Sequence, residues 1–232
     1  MAASFDFKQF SVINERSAQK VGTDAVLLGA WVNAPSGPVR VLDAGTGTGV
    51  IALMMAQRCP QAQITGIDID SPSVEEATLN FASSPWHDRL SAQLCRLQDW
   101  TGEVDMIISN PPFFINSLKA PDDRRAAARH TDSLTHRDVI ASALRCLSPH
   151  GTLAVIYPAD EAQAFAGEAL ASGLFPIRIC HVRTKASAAP KRFMMELSRT
   201  KKEPLIEELI MSDGPDYTEE YKALTRDFYL KF

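Results

Sequence analysis

From Val39 onward, short β-branched runs alternate with longer stretches whose apolar residues recur at helical spacing. That alternation predicts a mostly parallel sheet with helices on both faces. Strands are expected at 39–43, 63–69, 91–98, 104–110 and 151–157, with 176–182 and 192–198 closing the sheet as an antiparallel pair. Helices are expected over 49–59, 71–82, about 133–147 and about 160–172. In the 71–82 helix, Ser71 is read as the N-cap, Pro72 as the first helical residue, and Glu75 and Glu76 as acids favoured near a helix N-terminus. An earlier helix over about 24–33 takes Thr23 as its N-cap. The expected architecture is a doubly wound α/β sheet of seven strands in one domain, 1–232, with 1–36 as an N-terminal segment and 37–232 as the core.

At 232 residues, 45% hydrophobic and 22% charged, the chain falls in the globular range. No run approaches the roughly 18 apolar residues that span a bilayer, and the N-terminus has no basic-then-apolar leader, so the expectation is a cytoplasmic protein outside the membrane. Cys59, Cys95, Cys146 and Cys180 are spaced too widely for a zinc site or a disulfide framework, which fits a reducing compartment and no metal. The net charge of −4 argues against indiscriminate nucleic-acid coating, yet the charge is uneven. Between His181 and Lys202 the bases Arg183, Lys185, Lys191, Arg192, Arg199, Lys201 and Lys202 face one acid, Glu196, and an acidic tail follows. Such a run is either a solvated face or a phosphate-contacting one.

Two motifs carry chemistry. In VLDAGTGTGV, Gly45, Gly47 and Gly49 lie between the first core strand and its helix, where the chain needs φ > 0 and close ligand approach. Asp68 ends the next strand nineteen positions after Gly49, placed to accept hydrogen bonds from ribose hydroxyls. An adenosine-type cofactor follows. Gly47, Gly49 and Ala52 also satisfy a relaxed dinucleotide fingerprint, but Asp43 at the strand end would repel a pyrophosphate.

The second motif, Asn110-Pro111-Pro112-Phe113, follows the strand DMIIS, at the carboxyl edge of the sheet where open α/β folds bind ligands. The prolines fix a rigid turn that directs the Asn110 side-chain carbonyl and the Pro111 main-chain carbonyl toward one point. Two such acceptors would hold both N–H bonds of an NH2 group whose lone pair is delocalised into a ring or acyl group, and Phe113 would stack on a planar substrate. Arg129 and His130 read either as closing over a base or binding phosphate, or as solvated loop residues. Phe5, Phe7 and Phe10 with Lys8 read either as a base-stacking strip or as an apolar flap on the core.

D-x-G-x-G-x-G with NPPF resembles class I S-adenosylmethionine-dependent methyltransferases that act on amino groups. FDFKQFSVINERSAQKVGTDAVLLGAW, RHTDSLTHRDVI and PKRFMMELS resemble the bacterial tRNA1(Val) (adenine(37)-N6)-methyltransferase family across almost the whole chain. The resemblance implies a Rossmann-like fold, S-adenosylmethionine as cofactor and tRNA as partner. It also implies a cofactor set of Lys20, Asp24, Asp43, Gly45, Gly47, Gly49, Asp68 and Asp99, with Asp99 near the adenine amino group. Catalysis falls to Asn110, Pro111, Pro112 and Phe113, and RNA contact to Arg129, His130, Arg183, Lys185, Lys191 and Arg192, in a monomer. A peptide-glutamine methyltransferase, an NAD-type oxidoreductase and a silent RNA-binding module are the competing readings.

Overall fold

The computed structural model describes residues 4–17, 19–111 and 134–231. Among them one large sheet runs through the molecule, flanked by helices. Its first core strands are β3 (Val39–Ala44), β4 (Ala62–Asp68), β5 (Leu90–Leu94) and β6 (Val104–Ser109), followed by β7 (Leu147–Pro158), β8 (Phe175–Lys185) and β9 (Arg192–Ser198). Their order across the sheet is β8-β9-β7-β6-β3-β4-β5, parallel except for β9, which is antiparallel to both neighbours. The order reverses between β3 and β6, so the connections leaving their carboxyl ends run to opposite sides and open a crevice there. Two strands extend the expected seven: β10 (Leu205–Asp213) lies parallel to β8, and β11 (Asp216–Tyr217) pairs with its end.

Helices α1 (Thr23–Trp31), α2 (Val50–Arg58) and α3 (Ser71–Ala82) precede α4 (His136–Cys146), α5 (Ala159–Ala171) and α6 (Glu219–Thr225). Two apolar layers result. One packs Val41, Ile64, Ile108 and Ile156 against α1 and α2; the other packs Leu42, Ile107, Val155 and Leu197 against α4 and α5. The middle of β6 and of β7 is buried on both faces, which is why MII and LAVIY read as consecutive apolar residues.

Several local expectations are corrected. Gly22, not Thr23, caps α1, and no side chain closes that end; Thr23 is the first helical residue. Asp70, not Ser71, caps α3 by accepting from the Ser73 N–H at 3.0 Å, which leaves Pro72 one place deeper and Glu75 and Glu76 beyond the first turn. The strand expected over 91–98 ends at Leu94, and Leu97–Asp99 forms a 3₁₀ turn with Leu97 buried. The segment read as an acidic tail is in fact β10, β11 and α6. Phe7 and Phe10 are buried and stack at 4.6 Å, with Tyr229 and Trp86 beside them, so the N-terminal aromatics are a flap on the core.

Candidate active site

The glycine turn follows from the handedness of the chain there. Gly45, Gly47 and Gly49 have φ of 74°, 53° and 82°. A Cβ on Gly49 would also lie 2.4 Å from the Phe81 ring, so substitution is excluded by space as well as by φ. The Gly45 and Thr46 N–H groups bond the Ile67 carbonyl at 2.9 Å, tying the turn to the end of β4. Asp43 is buried beneath the turn, where one carboxylate oxygen accepts from the Thr46 hydroxyl at 2.7 Å and the Ala52 N–H at 3.2 Å. Its other oxygen, Oδ1, is buried without a partner among the described residues. Burial pushes this carboxyl up to about 7, against the pull of the Thr46 and Ala52 hydrogen bonds, and nearby Asp68 adds to the rise.

Asp68 ends β4 with its carboxylate bridging two backbone groups, the Gly47 N–H at 2.9 Å and the Asp70 N–H at 3.0 Å. Each oxygen keeps a lone pair for a further donor. Beside them opens a cavity of about 300 Å³. Gly45, Gly47 and Asp68 line it together with Ser17 and Gln19 from the N-terminal segment, Ile67 and Ile69, and Cys95 to Gln98. Asn110 and Leu134 complete the wall. Asn110 is set at this mouth by β6, whose last residue, Ser109, donates to the Ala44 carbonyl at 2.7 Å and so locks the ends of β3 and β6 together. The Asn110 Oδ1 is buried and without a hydrogen-bond partner among the described residues.

Of the expected cofactor set, the cavity thus gathers Gly45, Gly47, Asp68 and, from the catalytic set, Asn110. The others stand elsewhere. Asp43 supports the turn from below, and Gly49 starts α2. Asp99 is exposed and lines a shallower groove with Ile69, Leu94, Cys95 and Arg96; Leu97 and Gln98 take the cavity wall at that loop, held by α4 through the Ser142 hydroxyl and the Arg145 guanidinium. Lys20 donates to the Glu15 carbonyl at 2.7 Å, and Asp24 is occupied by Arg192 at 2.8 Å. Pro111 is the last described residue of its turn; Pro112, Phe113, Arg129 and His130 lie outside the described residues.

The basic segment is corrected in part. Besides the Arg192–Asp24 pair, Arg183 is ion-paired with Glu208 of β10 and donates to the Ala188 carbonyl at 2.8 Å. Arg183 therefore holds the β8–β9 hairpin and β10, and Arg192 ties β9 to α1. Lys185 and Lys191 are exposed and form no ion pair among the described residues. Because β8 runs parallel to β6 and β7, its end at Lys185 lies on the same edge of the sheet as Asn110.

Sequence reasoning missed Ser17, Gln19, Gln98 and Glu76. Glu76 is fully buried on α3, and its carboxylate accepts the Glu15, Arg16 and Ser17 N–H groups at 2.7, 2.8 and 2.9 Å. Burial alone would push it up; the three N–H groups and Lys20 bring it below the usual carboxylate range. In the sequence only its helical spacing with Ser73, Ala77 and Asn80, one and the same face of α3, could have marked it. No group of three His, Cys, Asp or Glu suited to a metal occurs among the described residues, where no helix is long and apolar enough to cross a membrane.

The sheet order and the carboxyl-edge crevice are those of class I methyltransferases. A predicted O-methyltransferase from Agrobacterium tumefaciens shares the fold with a TM-score of 0.66 over 88% of this chain and 96% of that one, at 17% identity. The family model described as the methyltransferase small domain matches residues 17–164. A Phocaeicola vulgatus protein named tRNA1(Val) (adenine(37)-N6)-methyltransferase is 45% identical over 97% of each chain. One of the same name from Vibrio parahaemolyticus is 39% identical over 98% of this chain and 95% of that one. The chain belongs to the methyltransferase small-domain family and, within it, to the tRNA1(Val) (adenine(37)-N6)-methyltransferases.

Proposed function

We propose that this protein transfers the methyl group of S-adenosylmethionine to N6 of adenine 37 in the anticodon loop of tRNA1(Val), in the cytoplasm, as a monomer and without a metal. The observation that carries the reading is the Oδ1 of Asn110, buried and without a partner among the described residues, at the mouth of a cavity floored by the glycine turn and Asp68. A buried acceptor without a donor costs about 1–3 kcal/mol, a cost that an arriving N–H removes. The cavity suits the cofactor. Asp68 offers lone pairs to a ribose diol, Ile67, Ile69, Leu97 and Leu134 supply apolar walls for a purine, and Gly45 and Gly47 keep the floor free of side chains.

Bound there, S-adenosylmethionine supplies an electrophilic methyl group on a cationic sulfur. The protein's share is orientation. The Asn110 Oδ1 and the Pro111 carbonyl accept the two N–H bonds of the adenine amino group, which localises its lone pair and aims it along the line of displacement. No protein nucleophile is required. The methylated nitrogen then loses its extra proton to solvent. An adenine stacked in the loop cannot reach this recess, so the target nucleotide leaves its stack.

Purified protein with labelled cofactor should label unmodified tRNA at adenine, and a tRNA carrying purine at the target position should bind but take no label. Asn110→Ala should lower turnover about a hundredfold with cofactor affinity unchanged. Label in a peptide glutamine and in no tRNA would overturn the substrate, while near-normal turnover of Asn110→Ala would reduce the turn to a strand terminator.

A further inference from the structure

Two fully enclosed polar side chains of α3, Glu76 and Asn80, bond the N-terminal segment. Asn80 accepts the Ile13 N–H at 2.7 Å and donates to the Ile13 carbonyl at 3.1 Å and the Thr48 carbonyl at 2.8 Å, joining the segment to the glycine turn. One helical turn earlier, Glu76 takes three consecutive backbone N–H groups, ending with Ser17. Ser17 is itself a wall of the cavity, 3.4 Å from where a Cβ on Gly47 would lie. Its hydroxyl donates to the Gln19 carbonyl at 3.0 Å and accepts from Ser73 at 3.1 Å. Gln19 lines the cavity as well, and the Ser73 N–H donates at 3.0 Å to the carboxylate of Asp70, the residue whose own N–H is held by Asp68. A hydrogen-bonded chain therefore links Glu76, through residues 15–17, to the acid expected to hold the ribose.

We propose that Glu76 is a positioning residue for the cofactor cavity, acting through Ser17, and that Ser17 and Gln19 are a wall of the cofactor site. The inference rests on the cofactor reading above. Burying a carboxylate is costly unless its lone pairs are filled, and here three backbone donors fill them. A helix position that only had to pack would hold an apolar side chain. A carboxylate there fixes the path of a segment that forms no ladder with the main sheet among the described residues, β1 (Ser4–Asp6) and β2 (Ser11–Ile13) pairing only with each other.

Glu76→Gln is the informative variant. Its amide oxygen can keep the Glu15 and Arg16 N–H groups, both held by Oε1, while its NH2 turns against the Ser17 N–H that Oε2 now accepts. Calorimetry with S-adenosylhomocysteine should give a Kd raised roughly tenfold for Glu76→Gln and for Ser17→Ala, and the double variant should be little weaker than the worse single, as for two residues acting through one path. The KM for tRNA should stay put. In protein without cofactor, amide exchange at residues 15–17 should quicken in Glu76→Gln. Arg16→Ala, which breaks only the exposed pair of Arg16 with Glu75 at 2.9 Å, should bind like the parent. Unchanged affinity in Glu76→Gln alongside faster exchange, or fully additive losses in the double variant, would overturn the proposal. A parent protein that binds no S-adenosylhomocysteine would instead overturn the cofactor reading beneath it.

Discussion

Asp43 shows how one atom's surroundings reverse an ordinary expectation. A carboxylate at a strand end reads as a charge aimed at a ligand. In the fold it is buried under the turn it holds, and burial lifts it to about 7 from an ordinary value near 4. A carboxyl whose folded value lies above its unfolded one binds more protons in the native state across that window. Its contribution to stability is full below about pH 4 and is lost as the pH rises through about 7, by up to about 4 kcal/mol. Asp43→Asn keeps an oxygen for Thr46 and Ala52 and carries no charge, so its urea midpoint should fall less between pH 4.5 and 7.5 than the parent's. Equal pH dependence in the two proteins would show that Asp43 is ionised throughout.

At the scale of elements, the hairpin of β8 and β9 divides its cations by task. Arg183 and Arg192 are engaged by Glu208 and Asp24, and we propose the exposed Lys185 and Lys191 as the phosphate contacts. Replacing the two lysines by alanine should shallow the log–log dependence of tRNA affinity on salt by about 0.7–0.9 for each phosphate no longer neutralised. Arg183→Ala should loosen the hairpin and leave that slope nearly unchanged. The reverse result would mean that the ion pairs open on RNA. The same hairpin marks where the sequence was legible. Strands β6 and β7 were readable because burial on both faces writes consecutive apolar residues, MII and LAVIY, into the chain itself, and β3 and β4 because their apolar residues are bounded by the glycine turn and by Asp68. LIEELIMSD was not readable, because Glu207 and Glu208 fit a strand only through Arg178 and Arg183 on β8, a pairing no local pattern records. The site divides likewise: the glycines, Asp68 and Asn110 stand in contiguous motifs, whereas Ser17 and Glu76 meet only after folding.

Across the whole molecule the two ends of the described chain are joined. The Lys8 N–H bonds the Phe228 carbonyl at 2.8 Å, and Phe7 stacks on Tyr229. Trp31 of α1 donates to Glu207 at 2.7 Å and lies under the Arg178 guanidinium, 4.1 Å from its ring, while buried Glu196 accepts the Asn33 N–H at 2.6 Å. The segment after Thr200 therefore supports α1 and the N-terminal flap, and that flap leads through residues 13–17 to the cavity. We propose that the chain is a single cooperative domain in which the acidic C-terminal stretch is structural. Leu209, Tyr221 and Phe228 are all buried, and three such side chains contribute about 5–9 kcal/mol, comparable with the whole stability of an ordinary domain. A chain shortened after Thr200 should fail to give a cooperative thermal transition and should lose cofactor binding, although it keeps every residue of the cavity. In the full chain, tryptophan fluorescence and far-ultraviolet dichroism should report one coincident transition. A shortened chain that melts cooperatively and binds S-adenosylhomocysteine as the full chain does would make the last strands an appendage, and would cut the path proposed from the C-terminal turn to Ser17.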